Sequence, residues 1–432
     1  MSEKTSAKPM PKLKKSSFAR DVYTGRWLVS PVSAAKVAIL VILMHIVWEY
    51  VVPVSWNPVR PFLYLSYKLP ASEVVLKEAS YKLYGPTPSH SENDVIARSI
   101  RHFFQGVHKT LFPNESRFLR YGKGWLDLCF VAYFVVVFSF LRQILTLHVF
   151  KPLARRWGIQ SDQKQIRFAE QGYALFYWGL ASILGLYVMS FQDSWWFSTY
   201  STLMKQIWII SGTVRVIHSP IEYPHWVMRP ETKIYYLLQA SYWMQQAFVM
   251  LLGLERPRKD YYELIAHHLV TLWLIGWSYF INLTMIGTTV FVCMDIPDTW
   301  LAISKMLNYL ELNTVTAIVY PTFMVIWTYF RIYLSARTLY SVYNDYHKIP
   351  AYARTFYPSQ GHWLVWWMQC HVRIYQLILK VFAPLLLLLL LNIFWYYLMW
   401  RIFIRTLRGV YADEREEDEQ DEQPSIQNSK EE

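Results

Sequence analysis

DYYELIAHHLVTLWLIGWSYFINLTMIGTTVFVCMDIPDTWLAISK, residues 260–305, decides how this chain reads. Two apolar runs meet at Asn282 and Leu283, a join short enough to predict a tight antiparallel hairpin. His267 and His268 stand early in the first run, and Asp295 and Asp298 stand late in the second. Each run has the length of a membrane span, about 20 residues. Ionisable side chains are scarce in such segments because hydrocarbon penalises charge by at least ~2.5 kcal/mol. Four of them in two consecutive spans point to chemistry.

The rest of the sequence is membrane scaffold. Of 432 residues, 54% are hydrophobic and 18% aromatic, too many for an ordinary soluble protein. Spans are expected at about 37–54, 126–148, 171–191, 234–253, 262–281, 284–304, 315–334 and 374–404, an all-α protein of about eight transmembrane helices. Residues 1–36 read as a basic cytosolic tail, 55–125 as a lumenal segment, 335–372 as an aromatic loop and 409–432 as an acidic disordered cytosolic tail. Within 55–125, SIRHFFQGVHKTLF (99–112) has the pattern of a basic amphipathic helix on a membrane surface, or of a helix packed on the spans. Asn114 heads a glycosylation sequon on that lumenal side. The short connections 151–167 and 255–260 are basic, and the join of spans five and six carries no Lys or Arg, which places both termini in the cytosol. The net charge of +12 gathers at span ends, so it implies orientation and lipid headgroups rather than nucleic acid. Cys129, Cys293 and Cys370 fall in or beside apolar segments and read as buried thiols.

Depth and facing define the chemistry. His267 and His268 lie five or six residues inside their span, roughly 8–9 Å, while Asp298 and Asp295 are six and nine residues from the cytosolic end of theirs, roughly 9–14 Å. A tight hairpin at matched depth predicts His–Asp contact. Asp295 and Asp298 share a face, as do His267 and Thr271, whereas adjacent histidines diverge by about 100°. One imidazole then faces the reaction and the other reaches the carboxylates or a second substrate; either assignment fits the spacing. A histidine oriented by an aspartate is a general base for attack of an amine or hydroxyl on an acyl group, and a histidine can also carry the acyl group itself. A polar cluster gluing helices explains one histidine better than two histidines and two aspartates at one depth. Metal binding is disfavoured because the adjacent histidines diverge, and a proton-coupled transporter is disfavoured because no internal repeat is evident.

Arg256, Arg258, Lys259 and Lys305 form a basic cytosolic rim suited to the phosphates of a CoA carrier, although topology alone also puts cations there. Gln239, Gln245 and Gln246 of the fourth span, with Thr271, are candidate cavity-lining residues; the glutamines serve equally as helix–helix glue.

KIYYLLQASYWMQQAFVMLLGLERPRKDYYELIAHHLVTLWLIGWSYFINLTMIGTTVFVCMDIPDTWLAISKMLNYL (233–310) resembles the signature of the longevity-assurance ceramide synthases, within the TLC domain. YGKGWLDLCFVAYFVVVFSFLR (121–142) resembles the segment before that domain, and RFAEQGYALFYW (167–178) its start. With no homeobox-like insertion, the resemblance is to the fungal or plant type. It implies a TLC domain over 167–408, a helical barrel enclosing a lipid cavity, with span two and its cytosolic loop at 126–166. The implied reaction is acyl transfer from a fatty acyl-CoA, a co-substrate, to the amine of a sphingoid base, with no cofactor and no metal. The implied location is the endoplasmic reticulum membrane. His267 and His268 correspond to the family's essential histidines, and Asp295 and Asp298 to its motif aspartates. Further implied partners are membrane lipid, a small single-span regulatory subunit, and a second copy or paralogue forming a dimer. The rival function is a non-catalytic TLC-type lipid-binding or lipid-sensing protein, which has no need of the four hairpin residues.

Overall fold

The computed structural model describes residues 25–51, 57–69, 95–112, 119–192, 228–253, 260–280, 283–345 and 381–407. Among these the chain is helical, with only isolated bridges between extended residues. The helices are α1 (Pro31–Val51), α2 (Arg60–Leu63), α3 (Val95–Leu111), α4 (Leu126–Ile144), α5 (Lys151–Arg156), α6 (Asp162–Met189), α7 (Pro230–Leu251), α8 (Tyr261–Phe280), α9 (Thr284–Tyr309), α10 (Asn313–Trp327), α11 (Ser335–Asp345) and α12 (Ala383–Leu407). π-helical turns at Leu145–Phe150 and Thr328–Leu334 join α4 to α5 and α10 to α11 without a break.

Among the described residues, six helices are long and apolar enough to cross a membrane: α1, α4 with α5, α6, α9, α10 with α11, and α12. α7 and α8, at 22 and 20 residues, have the length for a span. Their apolarity is diluted by Gln239, Gln245 and Gln246 in α7 and by Glu263, His267 and His268 in α8. Besides α1, which begins at Pro31 inside the expected tail 1–36, the helices outrun the expected spans in three places. Residues 335–345, expected as loop, continue the seventh span as helix. The connection 151–167 shrinks to five non-helical residues, 157–161. The sixth span ends at Tyr309 rather than 304. Backbone hydrogen bonding explains all three: a helix that leaves the apolar layer still satisfies every carbonyl and amide, so polar residues alone do not stop it. Expectations at Asn114, Arg256, Arg258 and Lys259 lie outside the described residues.

The described helices divide between two compact units. One draws on Met1–Ala79, Asn114–Tyr173 and Trp226–Tyr261, the other on Ser80–Pro113, Ala174–His225 and Tyr262–Glu432. In the first unit α4 is central and is flanked by α1, α2 and α7. Phe130, Tyr133, Val135 and Phe138 are buried along α4, and Phe138 meets Tyr242 of α7 edge-on at 5.9 Å. At the N-terminal ends of α4 and α7, three extended pieces pair. Tyr121 exchanges both backbone bonds with Met228, and Gly122 N–H donates to the Tyr67 carbonyl at 2.8 Å. Gly124 is required there, since a β-carbon would stand 2.2 Å from the Tyr67 ring. Beneath this ladder, fully buried Lys233 pairs with Asp127 at 2.7 Å and donates to the carbonyls of Ser66 (2.9 Å) and Gly122 (2.7 Å).

In the second unit α9 packs along α10, and α12 packs against α10, α11 and the π-turn between them. Phe323, Met324, Trp327 and Met399 form the centre of this packing, with Trp300, Tyr320 and Trp395 against it. α3 covers the end of α6. Gln105 donates to the Ser190 carbonyl and Arg101 to that of Gln192, both at 3.1 Å, while His108 Nδ1 meets the Tyr187 hydroxyl at 2.6 Å. Of the two uses open to that amphipathic helix, packing therefore occupies this face.

Candidate active site

His267 and His268 occupy the second turn of α8 and are 6% and 8% exposed, values low enough that each ring must find its partners inside the protein. Helical backbone explains how His268 is held. Its Nδ1 lies 2.8 Å from the Leu264 carbonyl, one turn back, and only a ring N–H can donate to that oxygen. The proton is thereby fixed on Nδ1, and Nε2 carries the lone pair. The His267 ring stands perpendicular to that of His268 at 5.7 Å, which is the divergence expected of neighbours on a helix. It packs edge-on against Trp395 of α12 at 5.2 Å and lies within electrostatic reach of Arg331. Thr271, one turn beyond His267 on the same face, is half-buried, and its Oγ1 has no hydrogen-bond partner.

Asp295 and Asp298 are 1% and 6% exposed on α9. The helix runs unbroken through Pro297, so the aspartates keep the i, i+3 register. They stand 14 and 11 residues from the helix end at Tyr309, deeper in α9 than the expected span end at 304 implied. Thr299 donates to the Asp295 carbonyl at 2.9 Å and meets Ser182 of α6 at 3.4 Å, which ties this turn to α6.

The partner that the structure gives Asp298 is an arginine the hairpin alone does not reveal. Arg331 Nη2 donates to Asp298 Oδ2 at 2.5 Å and to the Met294 carbonyl at 3.0 Å, and Nη1 donates to Asn392 Oδ1 of α12 at 3.1 Å. Its guanidinium carbon lies 4.2 Å from the Trp327 ring centre. A sequence signal for Arg331 exists, since it is a charge inside TYFRIYL (328–334). Three residues from an expected span end at 334, however, an arginine reads as a terminal, snorkelling charge. Continuation of the helix to Asp345 makes it interior.

Lys305 lies two turns beyond Asp298 and reaches it electrostatically. Gln239 and Gln245 are buried and Gln246 half-buried in α7, which belongs to the first unit. Gln239 donates to the Tyr235 hydroxyl at 3.1 Å, one turn away, which is a local role. The second unit also contains an apolar slot, lined by Val290 and Met294 of α9, Leu334 and Thr338, and Leu385 and Leu389 of α12. The Thr338 hydroxyl donates back to the Leu334 carbonyl, and Thr289, Cys293 and Ser335 add further small polar groups to the wall.

A helical membrane protein with buried imidazoles and carboxylates in one unit is equipped for proton transfer away from water. Residues 167–401 match the TLC domain shared by TRAM, LAG1 and CLN8 proteins. The sphingosine N-acyltransferase lac1 of Schizosaccharomyces pombe is 37% identical over 308 residues, 70% of this chain and 72% of that protein. The ceramide synthase LAG1 of Saccharomyces cerevisiae is 36% identical over 331 residues, 76% of this chain and 72% of that one. The sphingosine N-acyltransferase-like protein FUM17 of Gibberella moniliformis is 36% identical over 292 residues, 67% of each chain. The chain belongs to the TLC-domain family, in its longevity-assurance branch.

Proposed function

We propose that this protein is a ceramide synthase, transferring a long or very-long fatty acyl group from acyl-CoA to the amine of a sphingoid base such as sphinganine or phytosphingosine. The observation that carries the reading is His268, buried beside His267 with its proton committed to Leu264, so that Nε2 is the basic nitrogen. A neutral imidazole of this tautomer accepts a proton from an attacking amine. The amine nitrogen bonds to the thioester carbonyl carbon, the carbon–sulfur bond breaks, and the proton passes through imidazole to the CoA thiolate. The products are an amide and free CoA-SH, with no cofactor or metal required. Asp295 and Asp298 are the proposed carboxylates of the same site. Arg256, Arg258, Lys259 and Lys305 are the proposed rim for the CoA phosphates, and Thr271 the proposed cavity residue nearest the histidines.

The proposed setting is the endoplasmic reticulum membrane, with eight spans, both termini in the cytosol, a small single-span regulatory subunit and a dimeric assembly. The test is N-acylation by purified protein, co-purified with any such subunit, supplied with sphinganine and acyl-CoAs of graded length. Ceramide formation is expected, with its dependence on chain length read from the same assay. A wild-type preparation that forms none overturns the function. Incubation with acyl-CoA alone separates the two routes open to the pair: an acyl adduct on a histidine marks imidazole as the acyl carrier, and its absence marks direct attack.

A further inference from the structure

We infer that Arg331 is a positioning residue of this centre, joining Asp298 of α9 to the α10–α11 turn and to α12 so that the carboxylate is held in one place while the reaction turns over. The inference rests on the acyl-transfer reading. Arg331 is 3% exposed, and an arginine buried that deeply keeps its charge and must be answered by acceptors. Asp298 on α9 answers the charge, and the Met294 carbonyl and Asn392 on α12 take two further hydrogen bonds. The set closes on itself. The Asn392 carbonyl accepts Trp327 Nε1 at 3.4 Å, Asn392 Nδ2 lies 4.0 Å from Met294 Sδ, and Trp327 stacks on the guanidinium. Arg331 also sits within the π-turn Thr328–Leu334, where the extra residue per turn rotates its side chain relative to the α-helical register.

Two features separate this arrangement from a helix-to-helix staple. First, the Arg331 Nε–H is buried with no hydrogen-bond partner, so the fork is placed for Asp298 at the expense of one of its own donors. Second, the same guanidinium is within electrostatic reach of His267, so its charge acts on that imidazole as well as on the carboxylate. Asp298 is thereby assigned to a held position, and the role of Arg331 is exercised through it.

The test compares wild type, Arg331→Lys, Arg331→Gln, Asp298→Asn and the Asp298→Asn/Arg331→Gln double variant, with turnover expressed per folded molecule from thermal unfolding and size exclusion in detergent. A fork-shaped contact is not replaced by a point charge, so Arg331→Lys is expected to remain folded, to keep KM for both substrates within about twofold, and to lose about tenfold to a hundredfold in kcat. The double variant is expected to be no slower than Asp298→Asn alone. Wild-type turnover per folded molecule in Arg331→Gln overturns the inference, as does a double variant whose loss is the product of the single losses. A wild type without N-acylation overturns the acyl-transfer reading and the inference with it, whereas an active wild type beside an unimpaired Arg331→Gln overturns the inference alone.

Discussion

Among the described residues, each unit shows a buried cation–carboxylate pair, and the two are built to different specifications. In the first unit, the Lys233 ammonium meets Asp127, the Ser66 carbonyl and the Gly122 carbonyl, one acceptor for each of its three N–H groups. Asp127 Oδ2 in turn accepts the Gly124 amide at 3.0 Å, and the rings of Tyr67 and Tyr121 stand 5.4 and 5.8 Å from the ammonium. In the second unit, Arg331 uses its two terminal nitrogens and leaves Nε–H without an acceptor, beside two buried histidines and two buried aspartates. An ammonium answered by a carboxylate and two backbone carbonyls fixes a corner of the fold. A guanidinium with an unused donor, held among titratable groups, is the kind of arrangement that catalysis maintains against stability. The first belongs to the closing of the ladder over α4 and α7, the second to the proposed site.

That contrast can be broken most sharply at the histidines. His268→Ala removes the proposed proton acceptor and is expected to cost about 10²–10⁴-fold in N-acylation with little change in thermal unfolding; near-wild-type activity in this variant would sink the site. Lys233→Met should do the opposite. It strands Asp127 in a buried place and is expected to destabilise by about 3–5 kcal/mol, seen as a lower unfolding midpoint in detergent, while turnover per folded molecule is kept. If Lys233→Met were instead fully stable but catalytically dead, the assignment of roles would be reversed. Gly124→Ala pushes a methyl group into the Tyr67 ring and is expected to cost about 1–3 kcal/mol by the same measurement.

The smallest expected effect is at Lys123. Burial, and then the neighbouring Lys233 ammonium, hold its amine well below the ordinary lysine value of 10.5. Between that depressed value and 10.5 the unfolded chain binds a proton that the folded chain does not. Stability therefore rises with pH across this window, by at most about 1.4 kcal/mol per pH unit, and falls as pH drops toward the folded value. Lys123→Met should flatten the dependence of the unfolding midpoint on pH in that range. An unchanged slope would show that Lys123 is not the group responsible.

Run length and composition were enough to read a multi-span helical membrane protein and to single out four candidate residues in the hairpin. Apolar run length announces a helix that must cross lipid, and a His or Asp within such a run is too costly to be incidental. The hairpin therefore declared His267, His268, Asp295 and Asp298 without any contact being known, and local helical geometry already separated the two imidazoles by about 100°. Tertiary structure decided what those residues touch. Spacing within the hairpin pointed to contact of imidazole with carboxylate and said nothing of the side chains that later segments add. Asp298 pairs with Arg331 of the turn joining α10 to α11, and His267 packs on Trp395 of α12. Neither partner is encoded in spacing, because which faces of α10 and α12 turn toward α9 is set by side-chain packing around Phe323, Trp327 and Met399. The fate of Lys233 shows the same limit. In sequence it is a cation at a span end, indistinguishable from a topology signal. Only the closing of three extended segments over Asp127 turns it into a buried ion pair.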